Sequence, residues 1–163
     1  MNRTLPSLLA AASLALVGCG AGGGSGDAGP PDSGADTVSC QQDSRVTAYS
    51  AGMALTSSDG AMVFTLTSSD PAPPADTNNT WKVKIADGSG NPVEGASLSV
   101  VPTMPYMGHG TPIKPEITAQ SGGVYSIAEV NLFMAGIWEV TINATTPTNS
   151  TGETVSWFFC VAG

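Results

Sequence analysis

Apolar and polar residues alternate with a period of two, again and again, along the last three-quarters of this chain. Trp81, Val83 and Ile85 alternate with Lys82 and Lys84. Met62, Phe64 and Leu66 alternate with Val63, Thr65 and Thr67, and Trp138, Val140 and Ile142 with Glu139, Thr141 and Asn143. That period puts one face of a strand against a core and the other toward water, and it is incompatible with a buried helix face. Further strand-like segments are Ala96 to Val100, Ile113 to Ala119, Val124 to Ile127 and Val155 to Phe159. Between them stand turn clusters such as Asp87-Gly88-Ser89-Gly90-Asn91-Pro92 and Ser121-Gly122-Gly123. About seven short strands at this spacing, without a convincing amphipathic helix, predict an all-β immunoglobulin-like sandwich of antiparallel strands. Trp81, Trp138 and Trp157 fall on apolar faces and are expected in the core. Pro71-Ala72-Pro73-Pro74 reads as a stiff extended connector.

The sandwich cannot begin at residue 1. Arg3 is followed by an apolar stretch from Leu8 to Val17, too short to span a bilayer as a mature helix, ending in Leu16-Val17-Gly18-Cys19. This resembles the lipobox of bacterial lipoproteins. It implies a signal peptide over 1–18, a lipid-modified Cys19 at the mature N-terminus and location in the cell envelope. An ordinary signal peptide with a coincidental Cys is the alternative. Acyl chains contribute about 0.8 kcal/mol per buried methylene, so two or three hold a folded domain at a membrane persistently. Gly20 to Ser39 is nearly pure Gly, Ser, Pro, Asp and Ala. Such a stretch cannot bury enough apolar surface to fold and reads as a tether reaching about 25 Å. Residues 40–163 remain for the sandwich domain.

Charge narrows the partners. Five Lys and Arg against thirteen Asp and Glu give a net charge of −8. A chain so poor in cations has no electrostatic grip on nucleic acid. It is also repelled by anionic headgroups, so the expected contact with the bilayer is through the Cys19 lipid.

Three cysteines remain to be assigned. With Cys19 taken by lipid, Cys40 and Cys160 stand at the two ends of the domain, and an oxidising compartment makes a disulfide between them the default. A thiolate pair serving as metal ligands is the alternative.

One segment carries chemistry. In Met104-Pro105-Tyr106-Met107-Gly108-His109-Gly110-Thr111, the protein's single His lies within five residues of two of its six Met. Pro105 and Gly108 set a tight loop around them. Thioether sulfur and imidazole nitrogen are neutral donors that suit Cu(I). Met134 could add a third sulfur if the fold brings it near. The bland reading competes: Met at strand ends is commonly core filler, and a lone loop His is commonly solvated.

Residues Asn79 to Cys160 resemble the YtkA-like (FixH-related) family of exported domains. The resemblance rests on Asn79-Thr80-Trp81, Asp87 with Gly90-Asn91-Pro92-Val93 and Gly95-Ala96, and Met104-Pro105 with Gly108-His109-Gly110-Thr111. It continues through Gly123 and Tyr125 to Asn131-Leu132-Phe133-Met134-Ala135-Gly136 with Trp138-Glu139-Val140. It covers about half of the chain and implies copper or heavy-metal handling and envelope oxidase assembly. Relatives with this layout often carry His where Met107 stands, a change that keeps a soft donor and removes a pH-sensitive one.

Two functions follow as expectations. The first is an envelope copper-binding module with Met104, Met107, His109 and Met134 as ligands. The second is a lipid-anchored adaptor whose loop packs against an envelope protein without metal. An enzyme is not expected: there is no second His, and Asp59, Asp70, Asp76 and Asp87 are scattered among turns.

Overall fold

The computed structural model describes residues 40–163. The expected signal peptide, Cys19 and the tether lie outside the described residues. The domain is a sandwich of two antiparallel sheets. Its strands are β1 (Met53–Thr56), β2 (Met62–Asp70), β3 (Asn78–Asp87), β4 (Ser97–Met104), β5 (His109–Gly110), β6 (Glu116–Ala119), β7 (Val124–Asn131), β8 (Gly136–Thr146) and β9 (Asn149–Val161). One sheet has the order β1-β2-β3-β7-β6 and the other β5-β4-β8-β9. Every named strand pairing is antiparallel.

The alternation read from the sequence becomes the inner faces. β3 buries every second residue, Asn79, Trp81, Val83 and Ile85, and exposes Lys82 and Lys84. β8 buries Trp138, Val140, Ile142 and Ala144, and β9 buries Val155, Trp157 and Phe159. The two faces meet through aromatic edges. Trp81 stands at 90° to Trp157, with ring centroids 6.4 Å apart, and at 82° to Phe159 at 5.6 Å. Edge-to-face aromatic pairs of this kind contribute about 0.5–1.5 kcal/mol beyond their buried area. All three Trp are core residues, as expected.

Several residues of the family resemblance serve the fold. Asn79 is fully buried, accepts from the Ala75 amide and donates to the carbonyls of Ala75, Thr77 and Val130, which ties the entry of β3 to β7. Asp87 accepts from the amides of Ser89 and Asn91 and from the Asn91 side chain, closing its turn. The Tyr125 hydroxyl donates to the Val93 carbonyl and accepts from the Ala96 amide, holding the crossover between β3 and β4.

Two strands were not anticipated. β1 has four residues and β5 two, which are too few for a periodic signal. The proline segment also differs from its expected form. β2 and β3 are antiparallel neighbours with Asp70 opposite Thr80, so the chain must reverse between them. Residues 71–73 therefore bend, with cis bonds at Asp70-Pro71 and Ala72-Pro73, instead of running extended.

Cys40 and Cys160 form a disulfide with Cα atoms 5.6 Å apart, well inside the usual range. It fastens the first described residue to β9.

Candidate functional site

The candidate site lies at the end of the four-stranded sheet where β4 finishes and β8 begins. β4 turns into β5 through the four residues Pro105 to Gly108. The amides of Met107 and Gly108 both donate to the Met104 carbonyl, at 3.1 and 3.0 Å, and Gly108 takes a positive φ of 67° to close the loop. The chain then pairs back on itself, with Met104 directly opposite His109. Opposed residues in an antiparallel pair project from the same face, with Cβ atoms about 4.5–5.5 Å apart.

The second wall is the crossover from β7 to β8. The Trp138 indole donates to the Met134 carbonyl at 2.8 Å, fixing Phe133 to Ala135 over the buried Trp138 ring. Gly136 follows with φ 133°, and a Cβ there would lie 2.8 Å from the Met104 Cε. The absence of that Cβ is what lets the Met104 thioether lie against the start of β8.

Met104, Met107 and Met134 line one small cavity of about 170 Å³, together with Tyr106 and Ala135 to Ile137. The structure therefore brings together three of the four residues singled out in the sequence. Met104 is 4% exposed, whereas Met107 and Met134 are 40% and 37% exposed, so the cavity has a buried floor and an open lip. The fourth residue, His109, is half-buried beside Met104 and does not line the cavity. Its imidazole stacks on Phe133 at 6.0 Å and 28°, and neither ring nitrogen is hydrogen-bonded to another described residue.

Two residues that matter to this geometry were not picked out as site residues. Tyr106, between the two Met, donates from its hydroxyl to the Asp43 carboxylate at 2.9 Å. Asp43 is buried and also accepts from the Arg45 guanidinium at 2.8 and 3.0 Å and from the Arg45 amide. The Arg45 guanidinium lies 4.3 Å above the Phe158 ring on β9. The hairpin tip is thus latched to the segment just after Cys40. Hydrogen bonds from the Arg45 side chain, then from its amide, hold the Asp43 carboxyl well below the usual carboxylate range; burial opposes this and the Tyr106 hydroxyl adds to it. Tyr106 stood inside the quoted loop. Asp43 lies 63 residues away and left no local signal.

The donor set decides what the site can hold. Among the described residues, no three His, Cys, Asp or Glu side chains gather in one place. The cavity offers neutral thioethers with one imidazole nearby. Such a set is poor for Zn(II), Ca(II) or Mg(II), which draw on thiolate, imidazole or carboxylate. It suits a soft monovalent ion, whose single charge an apolar rim can accommodate with neutral ligands.

A β-sandwich with a Met-lined rim is the class that fold and site define. The chain belongs to the YtkA-like family, whose profile matches residues 59–143. The match runs from the β1–β2 turn into β8 and includes all four sequence-identified site residues; Cys40, Cys160 and β9 fall outside it. No curated protein matches the chain. Among solved structures, FetP of uropathogenic Escherichia coli strain F11 is similar at 16% identity and a TM-score of 0.43, over 71% of this chain and 96% of that one. A copper-bound variant of FetP gives the same identity and score, over 71% of this chain and 97% of that one.

Proposed function

We propose that the chain is a membrane-tethered binding module of the cell envelope that takes up Cu(I) at the rim formed by Met104, Met107 and Met134, with His109 as the neighbouring nitrogen donor. The observation that carries this reading is that three Met residues, from two separate chain segments, line one small cavity. Met at strand ends is ordinarily core filler, and Met104 alone would satisfy that account. Met107 and Met134 do not, because they stand substantially exposed at the lip. The family's association with copper points the same way. A copper ion bound here would supply ligand exchange: thioethers release a soft ion readily to a stronger acceptor. The protein's residues would hold the ion, keep it univalent in an apolar rim and present it outward. In this reading the module binds and hands on, and performs no covalent chemistry. Export is supported by the Cys40–Cys160 disulfide, since such bonds persist in oxidising compartments. The anchor is the Cys19 lipid read from the sequence.

The test is anaerobic Cu(I) titration of the purified chain against a competing chelator. Met104→Leu, Met107→Leu and Met134→Leu together keep apolar volume and remove sulfur. That triple variant is expected to lose Cu(I) binding by at least about a hundredfold, which corresponds to about 2.7 kcal/mol. His109→Ala is expected to weaken it by a smaller factor. Equal affinity in the triple variant and the wild type would overturn the reading.

One observation favours an adaptor without metal. Tyr106, Met107, Phe133 and Met134 are all exposed large apolar residues of one rim, and such patches mark protein contacts. The same titration separates the two, since an adaptor binds no Cu(I).

A further inference from the structure

β4 presents an edge that no strand covers for most of its length. β5 pairs only with Thr103 and Met104, so Ser97 to Pro102 have a strand partner, β8, on one side alone. A groove of about 440 Å³ follows this edge. Five successive β4 residues, Leu98 to Pro102, line it. Successive strand residues point to opposite faces, so a groove touched by all five runs along the edge and not across a face. Its other wall is the crossover from β5 to β6, with Ile113 and Lys114. Val101 and Ile113 are 49% and 36% exposed; among the described residues they are the large apolar side chains exposed away from the Met rim.

The sandwich's other edges are protected in the ways sheets use against stray pairing. β1 and β6 have four residues each. β9 is irregular where it meets Thr146, and it turns Glu153 inward, buried and bonded to Asn149 at 2.6 Å. Its far end is covered by the Thr47 amide bonded to the Phe158 carbonyl and by Arg45 on the Phe158 ring. β4 has eight residues, SLSVVPTM, without a charge. Pro102 blunts only one end of its open stretch.

We propose that the β4 edge is a docking site for an extended segment of a partner protein, which adds to the four-stranded sheet as a strand. Backbone hydrogen bonds to the open edge supply the affinity. A β-branched apolar residue sits against Val101 and Ile113, and an acidic residue meets Lys114. Lys114 is the one charged side chain lining the groove, on a chain with only five Lys and Arg. A cation placed there selects an acidic side chain in the docked segment. A second copy of this chain fits poorly. The groove offers no carboxylate for the copy's Lys114, and pairing would bring two net charges of −8 together.

The test pans a displayed library of random octapeptides against the purified full chain, and the selected peptides are then synthesised. Binders rich in Val, Ile or Thr and carrying Asp or Glu are expected. Their binding falls at least tenfold with Val101→Lys, an exposed position that leaves the fold intact, and with Lys114→Glu. Replacing the peptide's acid with Lys restores binding to the K114E chain. Methylating alternate peptide amides abolishes binding, and hydrogen exchange slows in residues 97–101. The proposal is overturned if no binder emerges, if binding is indifferent to V101K, or if protection falls on the Met rim instead. A dimer in sedimentation that V101K disrupts would also overturn it, in favour of a second copy.

Discussion

Asp43 carries more of the site than its distance in sequence implies. Its carboxylate gathers the Arg45 guanidinium, the Arg45 amide and the Tyr106 hydroxyl, and so holds the tip of the Met-bearing hairpin. Those donors favour the charged form, and its pKa is held below the ordinary value. In the unfolded chain the same group titrates near about 3.9. Its stabilising contribution is therefore complete above that unfolded value and is lost as pH falls through the lowered folded one. Asp43→Asn removes the contribution at every pH. The expected result is a thermal midpoint well below wild type at pH 7, with the gap starting to narrow only below about pH 4 and closing as the pH falls through the lowered folded value. Asp59 and Asp87 are lowered too, the first chiefly by the Ala61 amide and the second chiefly by the Asn91 side chain. Both proteins consequently keep some acid sensitivity, and the convergence is the diagnostic. A gap that stays constant from pH 7 down to pH 2 would show that the ionised latch contributes nothing.

The β4–β5 hairpin and the β7–β8 crossover are the two elements that make the cavity, and each turns on one glycine. Gly108 closes the hairpin at φ 67° with open space where a Cβ would go. Gly136 holds φ 133°, and there a Cβ would meet the Met104 Cε at 2.8 Å. Alanine at either position costs about 1–3 kcal/mol of backbone strain. Only Gly136→Ala also pushes the Met104 thioether out of place. Urea unfolding is expected to show similar losses for the two variants, while Cu(I) competition shows a larger affinity loss for Gly136→Ala. Equal affinities would mean that Met104 is a packing residue and no ligand. The long elements were legible in the sequence, because β3, β8 and β9 carry several turns of alternation that only a strand satisfies. β1 and β5 were not, because pairing with a neighbour, not local pattern, makes them strands. The Met-rich loop stood out by composition, and its two Met residues do line one cavity with Met134. The stacking of His109 on Phe133 depends on how the crossover crosses the sheet end, and the latch joins residues 63 apart. No periodicity encodes either contact.

At the scale of the whole molecule, the Cys40–Cys160 disulfide joins positions 120 residues apart and closes nearly the entire described chain into a loop. In the chain-entropy account, closing a loop of that length removes about 5 kcal/mol worth of unfolded-state freedom, and measured contributions are commonly smaller. Both walls of the cavity also lead back to this bond. Cys160 pairs with Ile137, next to Gly136, in the β8–β9 register. Cys40 begins the segment whose Asp43 holds Tyr106 in the hairpin tip. Cutting the bond therefore acts twice: the unfolded chain gains freedom, and the latch segment loses its covalent tie to β9. Cys40→Ser with Cys160→Ser is expected to lower the unfolding free energy by about 2–5 kcal/mol. The variant should remain a β-sandwich by circular dichroism, because the Trp81, Trp157 and Phe159 contacts between the sheets do not depend on the bridge. Hydrogen exchange under native conditions should then quicken first in residues 40–47 and 105–108, ahead of β3 and β8. Uniform quickening across both sheets would mean that the disulfide acts on the unfolded state alone, with no local hold on the site.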